Sequence, residues 1–260
     1  MVMPISDHQH GYEPRHGAGH GVGLARDEVL LREAFIGVLS HELRTPVTSI
    51  YGGIELLRAH RLEENVVRDV LRDVSDEAEG LQRLIDDLLV MVRAERGLAF
   101  AVPEPVLLRR IVGLAVDDER RRWPDQAFDV DLAADLPTAL GDDTLLRQVL
   151  RNVLGNAAKF GPAHGSIRVS GQADGDLVEL RVRDSGPGIS PEQREQVFAL
   201  FYRGTSLGRI AGSGIGLYVA RVLMDAMGGS IHVAPREQGA EFVLRLPRYV
   251  DPEAPASSAA

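Results

Sequence analysis

The stretch "FIGVLSHELRTPVTSI", residues 35–50, sets a histidine and a glutamate side by side inside an apolar pattern of helical spacing. His41-Glu42 begins like the signature H-E-x-x-H, in which two histidines one helical turn apart grip zinc. The fifth position here is Thr45, followed by Pro46, so that clamp is excluded. Leu39 and Leu43 belong to the inward stripe, and His41 lies about 200° round the helix from Leu39, facing outward. Thr45, four residues on, shares its face. Pro46 has no N–H for the Glu42 carbonyl, which weakens the helix beside the histidine. An exposed imidazole next to a carboxylate suits a nucleophile. One ring nitrogen attacks, while the carboxylate holds the tautomer and takes the proton from the other.

Outward from this stretch, residues 26–99 repeat one pattern twice. Phe35, Leu39, Leu43, Val47, Ile50, Ile54 and Leu57 recur at spacings of three and four, as do Val66, Val70, Val74, Ala78, Leu81, Ile85, Leu88 and Val92. That is the period of two long helices, each with one apolar stripe, joined by the polar turn "AHRLEEN" (59–65). A lone helical hairpin covers only one side of each stripe. A second copy would complete a four-helix bundle, so the unit reads as a homodimer. Gly52 and Gly53 sit mid-helix, where each costs about 1 kcal/mol against alanine; close helix packing is the expected reason. "VPEP" (102–105) breaks the pattern and marks a hinge into a second domain, 103–249. There, helices fit 106–122, 142–158 and 214–227, and strands fit 128–132, 166–171, 176–184, 230–234 and 240–246. Helices and antiparallel-looking hairpins in one unit predict an α+β sandwich.

The whole chain has 260 residues, a net charge of −9, 44% apolar and 26% charged residues, and no cysteine. Disulfides and thiolate metal sites are excluded, and a reducing cytoplasm is compatible. The acidic balance argues against a nucleic-acid partner. Apolar runs such as "LLVMV" (88–92) fall far short of the roughly 18 residues of a membrane span, and no signal-peptide core opens the chain. The expectation is therefore a cytoplasmic protein with no membrane span in this chain. Residues 1–25, with His8, His10, His16 and His20 among glycines and prolines, read as a solvated, disordered tail rather than a metal site. Residues 250–260 read as a frayed C-terminal tail.

An electrophile for the histidine should be held further on. "RQVLRNVLGNAAKFG" (147–161) places Asn152 and Asn156 one turn apart, with Lys159 three residues later. Asparagine is a poor helix former; two aligned beside a lysine offer oxygens for a magnesium ion and a cation for phosphates. "RDSGPGIS" (183–190) ends a strand on Asp184, followed by Gly186 and Gly188. Glycines permit close backbone approach, and the carboxylate can accept a hydrogen bond from an exocyclic amine. "AGSGIGLYVARVLM" (211–224) opens a helix on Gly212, Gly214 and Gly216, presenting free N–H groups to phosphate.

Together these segments resemble the catalytic core of a bacterial sensor histidine kinase, over residues 26–248. "SHELRTP" is similar to the family's H box, "NVLGNAAKF" to its N box and "DSGPGI" to its first glycine box. "VFALFYRG" resembles its F box, "GSGIGL" its second glycine box, and the five follow in family order. The resemblance implies a dimeric phosphoacceptor hairpin and a Bergerat/GHKL-type ATP-binding fold. It makes His41 the phosphorylated residue, Glu42 its acid/base partner, and Thr45 the position linked to dephosphorylating a response regulator. Asn156 would ligate Mg²⁺, with Asn152 and Lys159 near the phosphates of ATP. Asp184 would read the adenine amine in a pocket shaped by Gly186 and Gly188. Phe198, Phe201 and Arg203 would belong to a mobile lid; Gly212, Gly214, Gly216 and Leu217 would complete the phosphate cradle. Related ATPases carry a glutamate where this chain has Asn152, and an amide cannot take a proton from water. A family member usually has a sensor upstream; here its place is taken by the histidine-rich tail, so an upstream sensor segment or partner is implied. A GHKL-fold ATPase and a degenerate, non-catalytic scaffold are the alternatives.

Overall fold

The computed structural model describes residues 20–59, 62–97, 102–204 and 213–251, with side chains of the first helix from residue 36 onward. The N-terminal residues up to 19, among them His8, His10 and His16, and the loop residue Gly212 lie outside the described residues. Two compact units emerge, residues 1–45 and 46–260. Helix α1, His20–Ala59, begins in the first, and its described side chains there include His41.

In the second unit, the end of α1 is followed by α2, Glu64–Glu95. The two pack closely at Gly53, where an added Cβ would stand 2.6 Å from Val74 Cγ2, whereas one at Gly52 would meet nothing within 4 Å. The packing reason for the glycine pair therefore holds for Gly53 alone. Val47, Tyr51, Ile54, Val66, Leu71, Ile85, Leu89 and Val92 stay exposed along these helices, leaving an apolar surface uncovered by this chain. Among the described residues, no helix is long and apolar enough to cross a membrane.

The rest of the unit is a helix layer on a mixed sheet. Its elements are β1 (Glu104–Val106), α3 (Leu108–Arg122), β2 (Ala127–Leu132), β3 (Ala139–Gly141), α4 (Asp143–Phe160), β4 (Ser166–Asp174) and β5 (Leu177–Arg183). After them come α5 (Gln193–Gln196), α6 (Gly216–Ala226), β6 (Ser230–Val233) and β7 (Glu241–Pro247). The main sheet runs β2-β4-β5-β7-β6, while β1 pairs with β3. Helix α4 starts on the Asp142 carboxylate, which caps Leu145 N–H at 2.9 Å. It buries Leu146, Val149, Leu150, Val153, Leu154, Ala157 and Ala158 and packs on α3, α6, β4 and β5. That stripe is the core of the domain.

Alternation on β5 sends Val178, Leu180 and Val182 into this core. On the opposite face Glu179 bridges Arg181 and Arg245, and Glu241 bridges Arg181 and Arg183. Two departures from expectation stand out. β2 and β4 pair in parallel, since α4 carries the chain between them. And "VPEP" is only partly a break, because Glu104–Val106 zips against Ala139–Gly141.

Candidate active site

The His41 side chain is 76% exposed on α1, with Nδ1 3.7 Å from Glu42 Oε1. Thr45 Oγ1 donates to the His41 carbonyl oxygen at 3.2 Å, and Pro46 lies within the same helix. Leu39 and Leu43 are half-buried, so the outward direction inferred for His41 is the observed one. Glu42 lies on the Nδ1 side of the ring, which leaves Nε2 as the nitrogen away from the carboxylate.

The second cluster forms where α4, the turn after β5, and the start of α6 converge. Asp184 is only 8% exposed at the end of β5. Its Oδ1 accepts from Gly186 N–H at 2.8 Å and Ala240 N–H at 3.1 Å, which leaves Oδ2 for a ligand. Burial pushes this carboxyl above the ordinary aspartate range, against the hydrogen bonds from Ala240 and Gly186 and the charge of Arg236. Gly188, at φ +82°, lies against Gly239, and a Cβ there would stand 3.1 Å from the Gly239 carbonyl oxygen. Gly186 is equally confined, since a Cβ would come within 2.8 Å of the Phe160 carbonyl oxygen.

Asn152 and Asn156 both project half-buried from α4. The Asn152 Nδ2 group donates to the Gly216 carbonyl at 3.0 Å, whereas the Asn156 amide makes no hydrogen bond among the described residues. An uncommitted amide oxygen fits a hard cation such as Mg²⁺. Lys159 Nζ stands 5.4 Å over the Phe160 ring. Helix α6 begins at Gly216 and Leu217 with no side-chain cap at Ile215, so its first N–H groups and positive dipole end are suited to an anion.

The F-box residues divide. Phe198 is 2% exposed, edge-on to Phe242 at 6.3 Å and covered by the Arg221 guanidinium 4.0 Å above its ring. It is thus a core anchor rather than part of an open flap. Phe201, at φ +63°, donates its N–H to the Gly214 carbonyl at 3.0 Å, and Arg203 is exposed beyond it.

The comparisons with known proteins match the helical hairpin and the sheet domain separately. Residues 31–97 match the family model of the His Kinase A (phospho-acceptor) domain, and residues 141–250 that of the histidine kinase-, DNA gyrase B- and HSP90-like ATPase. A solved mycobacterial sensor histidine kinase, MprB, is 33% identical; the match covers 98% of that chain and 56% of this one, with a TM-score of 0.50. The chain belongs to the histidine kinase family. Full-length ShkA, solved in complex with AMPPNP, is 30% identical over 84% of this histidine kinase chain and 46% of its own, with a TM-score of 0.59. The signal transduction histidine-protein kinase/phosphatase MprB of Mycobacterium ulcerans is 36% identical over 208 residues, 77% of this chain and 40% of that one. The chain thus spans less than half the length of such curated relatives.

Two residues of this histidine kinase site escape sequence reasoning. Gly239, at φ +72°, brings the chain against the Asp184 carbonyl so closely that any side chain would overlap it. Its only signal is a solitary glycine before a strand. Asp87 is the other: it lies on α2 at a face formed with Val90 and Met91, offset from the stripe read for the hairpin. Replacing Gly239 by alanine should cost about 1–2 kcal/mol for the backbone alone, with the collision added. Gly175→Ala, at a similar φ of +61° with nothing within 4 Å, should show the backbone cost only. Urea unfolding of both variants, read beside nucleotide binding, separates the two contributions.

Proposed function

We propose that the chain is the core of an ATP-dependent protein-histidine kinase in a two-component system. The observation that carries this reading is an exposed imidazole with a carboxylate 3.7 Å from its Nδ1, in a chain that also holds a buried aspartate and an uncapped glycine-opened helix. Residues 26–99 act as the phosphoacceptor and dimerisation unit, residues 103–249 as the ATP-binding unit. Asp184 accepts the adenine amine through Oδ2, Gly186 and Gly188 leave room for the ring, and Gly212, Gly214, Gly216 and Leu217 bring N–H groups to the phosphates. Asn156 would hold Mg²⁺, which when bound neutralises phosphate charge, with Asn152 and Lys159 nearby. Phe198 anchors the segment from which Phe201 and Arg203 reach over the nucleotide.

His41 Nε2 attacks the γ-phosphorus, the N–P bond forms, the bond to the β,γ-bridging oxygen breaks and ADP departs. Glu42 takes the proton from Nδ1. With an amide at position 152, no carboxylate there can activate water, and the phosphoryl group survives until the imidazole arrives. It then passes to a carboxylate oxygen of an aspartate on a response regulator. Thr45 sits on the His41 face, where it can position water for the reverse, dephosphorylating reaction. The open apolar stripe of the hairpin supports a homodimer, and the need for ATP supports a cytoplasmic site under an upstream sensor.

The test is incubation with γ-radiolabelled ATP, then with a panel of receiver domains. Acid-labile label should accumulate on the kinase and leave fastest for one receiver. Steady phosphate release from a chain that never carries label would replace this reading with an ATPase.

A further inference from the structure

Helix α2 packs on α6 and reaches the N-box helix α4 through a small polar contact. Asp87 is 7% exposed there. Its Oδ1 accepts from Gln148 Nε2 at 2.8 Å and from Asn152 Nδ2 at 3.4 Å, with Arg151 Nη2 3.6 Å away. The same Asn152 Nδ2 donates to the Gly216 carbonyl at 3.0 Å. Gly216 lies in contact with this side chain, its Cβ position 3.4 Å from Asn152 Cγ.

A carboxylate and a backbone carbonyl are both acceptors, whereas an amide has one donating and one accepting end. Two acceptors on one side of Asn152 can be met only by its NH₂. A flipped amide would set its oxygen against both at once. The Asn152 Oδ1 is consequently the atom turned away from them, and it accepts no hydrogen bond among the described residues.

We propose that Asp87 is a positioning residue for the nucleotide site: reaching from the phosphoacceptor hairpin, it locks Asn152 with its amide oxygen, not its NH₂, toward the triphosphate. This rests on the proposed reading of α4 as part of an ATP site. An oxygen there attracts a cation or a water bound to one, and repels bare phosphate oxygens. Asp87 therefore makes the site selective for magnesium-complexed over metal-free nucleotide. It also makes that selectivity depend on a side chain outside the ATP-binding unit.

The experiment is calorimetric titration of the full chain with a non-hydrolysable ATP analogue, once with Mg²⁺ and once with EDTA. The quantity read is the ratio of the two affinities. In Asp87→Ala the ratio should fall about tenfold, the lower end of the 10–100-fold seen when the partner that orients a metal ligand is removed. The EDTA affinity should stay level or rise, because a negative charge has gone. Asp87→Asn keeps the shape and guards against misfolding; its ratio should fall less, since its carbonyl can still accept from Asn152. Ratios within twofold of wild type in both variants overturn the proposal while leaving the ATP site intact. A wild-type chain that binds no analogue under either condition overturns the ATP reading itself, and the proposal with it.

Discussion

A His41→Gln chain should bind ATP as tightly as the wild type and incorporate no radiolabel from its γ-phosphate. Glutamine fills much of the imidazole's volume, but its amide nitrogen is conjugated with the carbonyl and is no nucleophile at neutral pH. The side chain is 76% exposed and its short-range partner among the described residues is Glu42, so the fold loses little. The loss is therefore of chemistry alone, and it should be complete within detection. Glu42→Gln is the informative companion. It leaves the nucleophile in place but removes the group that takes the Nδ1 proton, and general bases contribute about 10²–10⁴-fold. Acid-labile label persisting on His41→Gln would move the phosphorylation site elsewhere.

For Asp184→Asn the expected result is a nucleotide affinity lower by about 100-fold or more, in a protein no less stable than its parent. The reasoning turns on which atoms are free. Oδ1 is taken by two backbone N–H groups, and an asparagine would keep that arrangement through its carbonyl oxygen. Its NH₂ would then face the adenine NH₂, donor against donor. A lost charge-assisted hydrogen bond of about 1.5–3 kcal/mol combines with an unsatisfied buried donor at about 1–3 kcal/mol. Stability responds in the opposite sense. Burial raises the Asp184 carboxyl, so the folded state holds this proton more tightly than the unfolded one. The stabilisation this gives is full below the unfolded value of about 3.9 and is lost as pH rises through the raised folded value. At neutral pH the ionised group is thus a destabilising one, and a neutral asparagine removes that penalty. The same raised carboxyl sets the pH profile of the wild type. Nucleotide binding, which needs Asp184 ionised, should weaken on acidification from a higher pH than an ordinary aspartate would give. Thermal melts and titrations across pH 4–7 check both signs; an Asp184→Asn chain that binds normally would remove the adenine contact from the account.

Much of this was legible in the residues because it rests on periodicity and on atom types. The α4 stripe from Leu146 to Ala158 follows directly from its spacing, and with it the alignment of Asn152 and Asn156 on one side. The exposure of His41 follows from the same angular argument. Pairing direction does not: alternation in "FDVDL" records which side of a strand is buried, not which neighbour it has, so the parallel β2–β4 pair was invisible. Strands β1 and β3 hold three residues each, too few for any period to declare itself. Gly239 and Asp87 act through partners 55 and 65 positions away, at Asp184 and Asn152. Nothing local distinguishes them from a turn glycine or a surface acid. The burial of Phe198 was hidden for the related reason that motif order says what adjoins a residue in sequence and not what covers it.

Strand β7 is the last of the sheet in chain order, yet it lies inside it, between β5 and β6. During synthesis the earlier strands must wait beside the ribosome with a gap between β5 and β6. Only when residues 241–247 emerge can β5 gain its second neighbour and β6 its first. A message cut short before that point yields open strand edges, a template for aggregation and a target for clearance. Synthesis through residue 247 is in this way built into the assembly of the sheet.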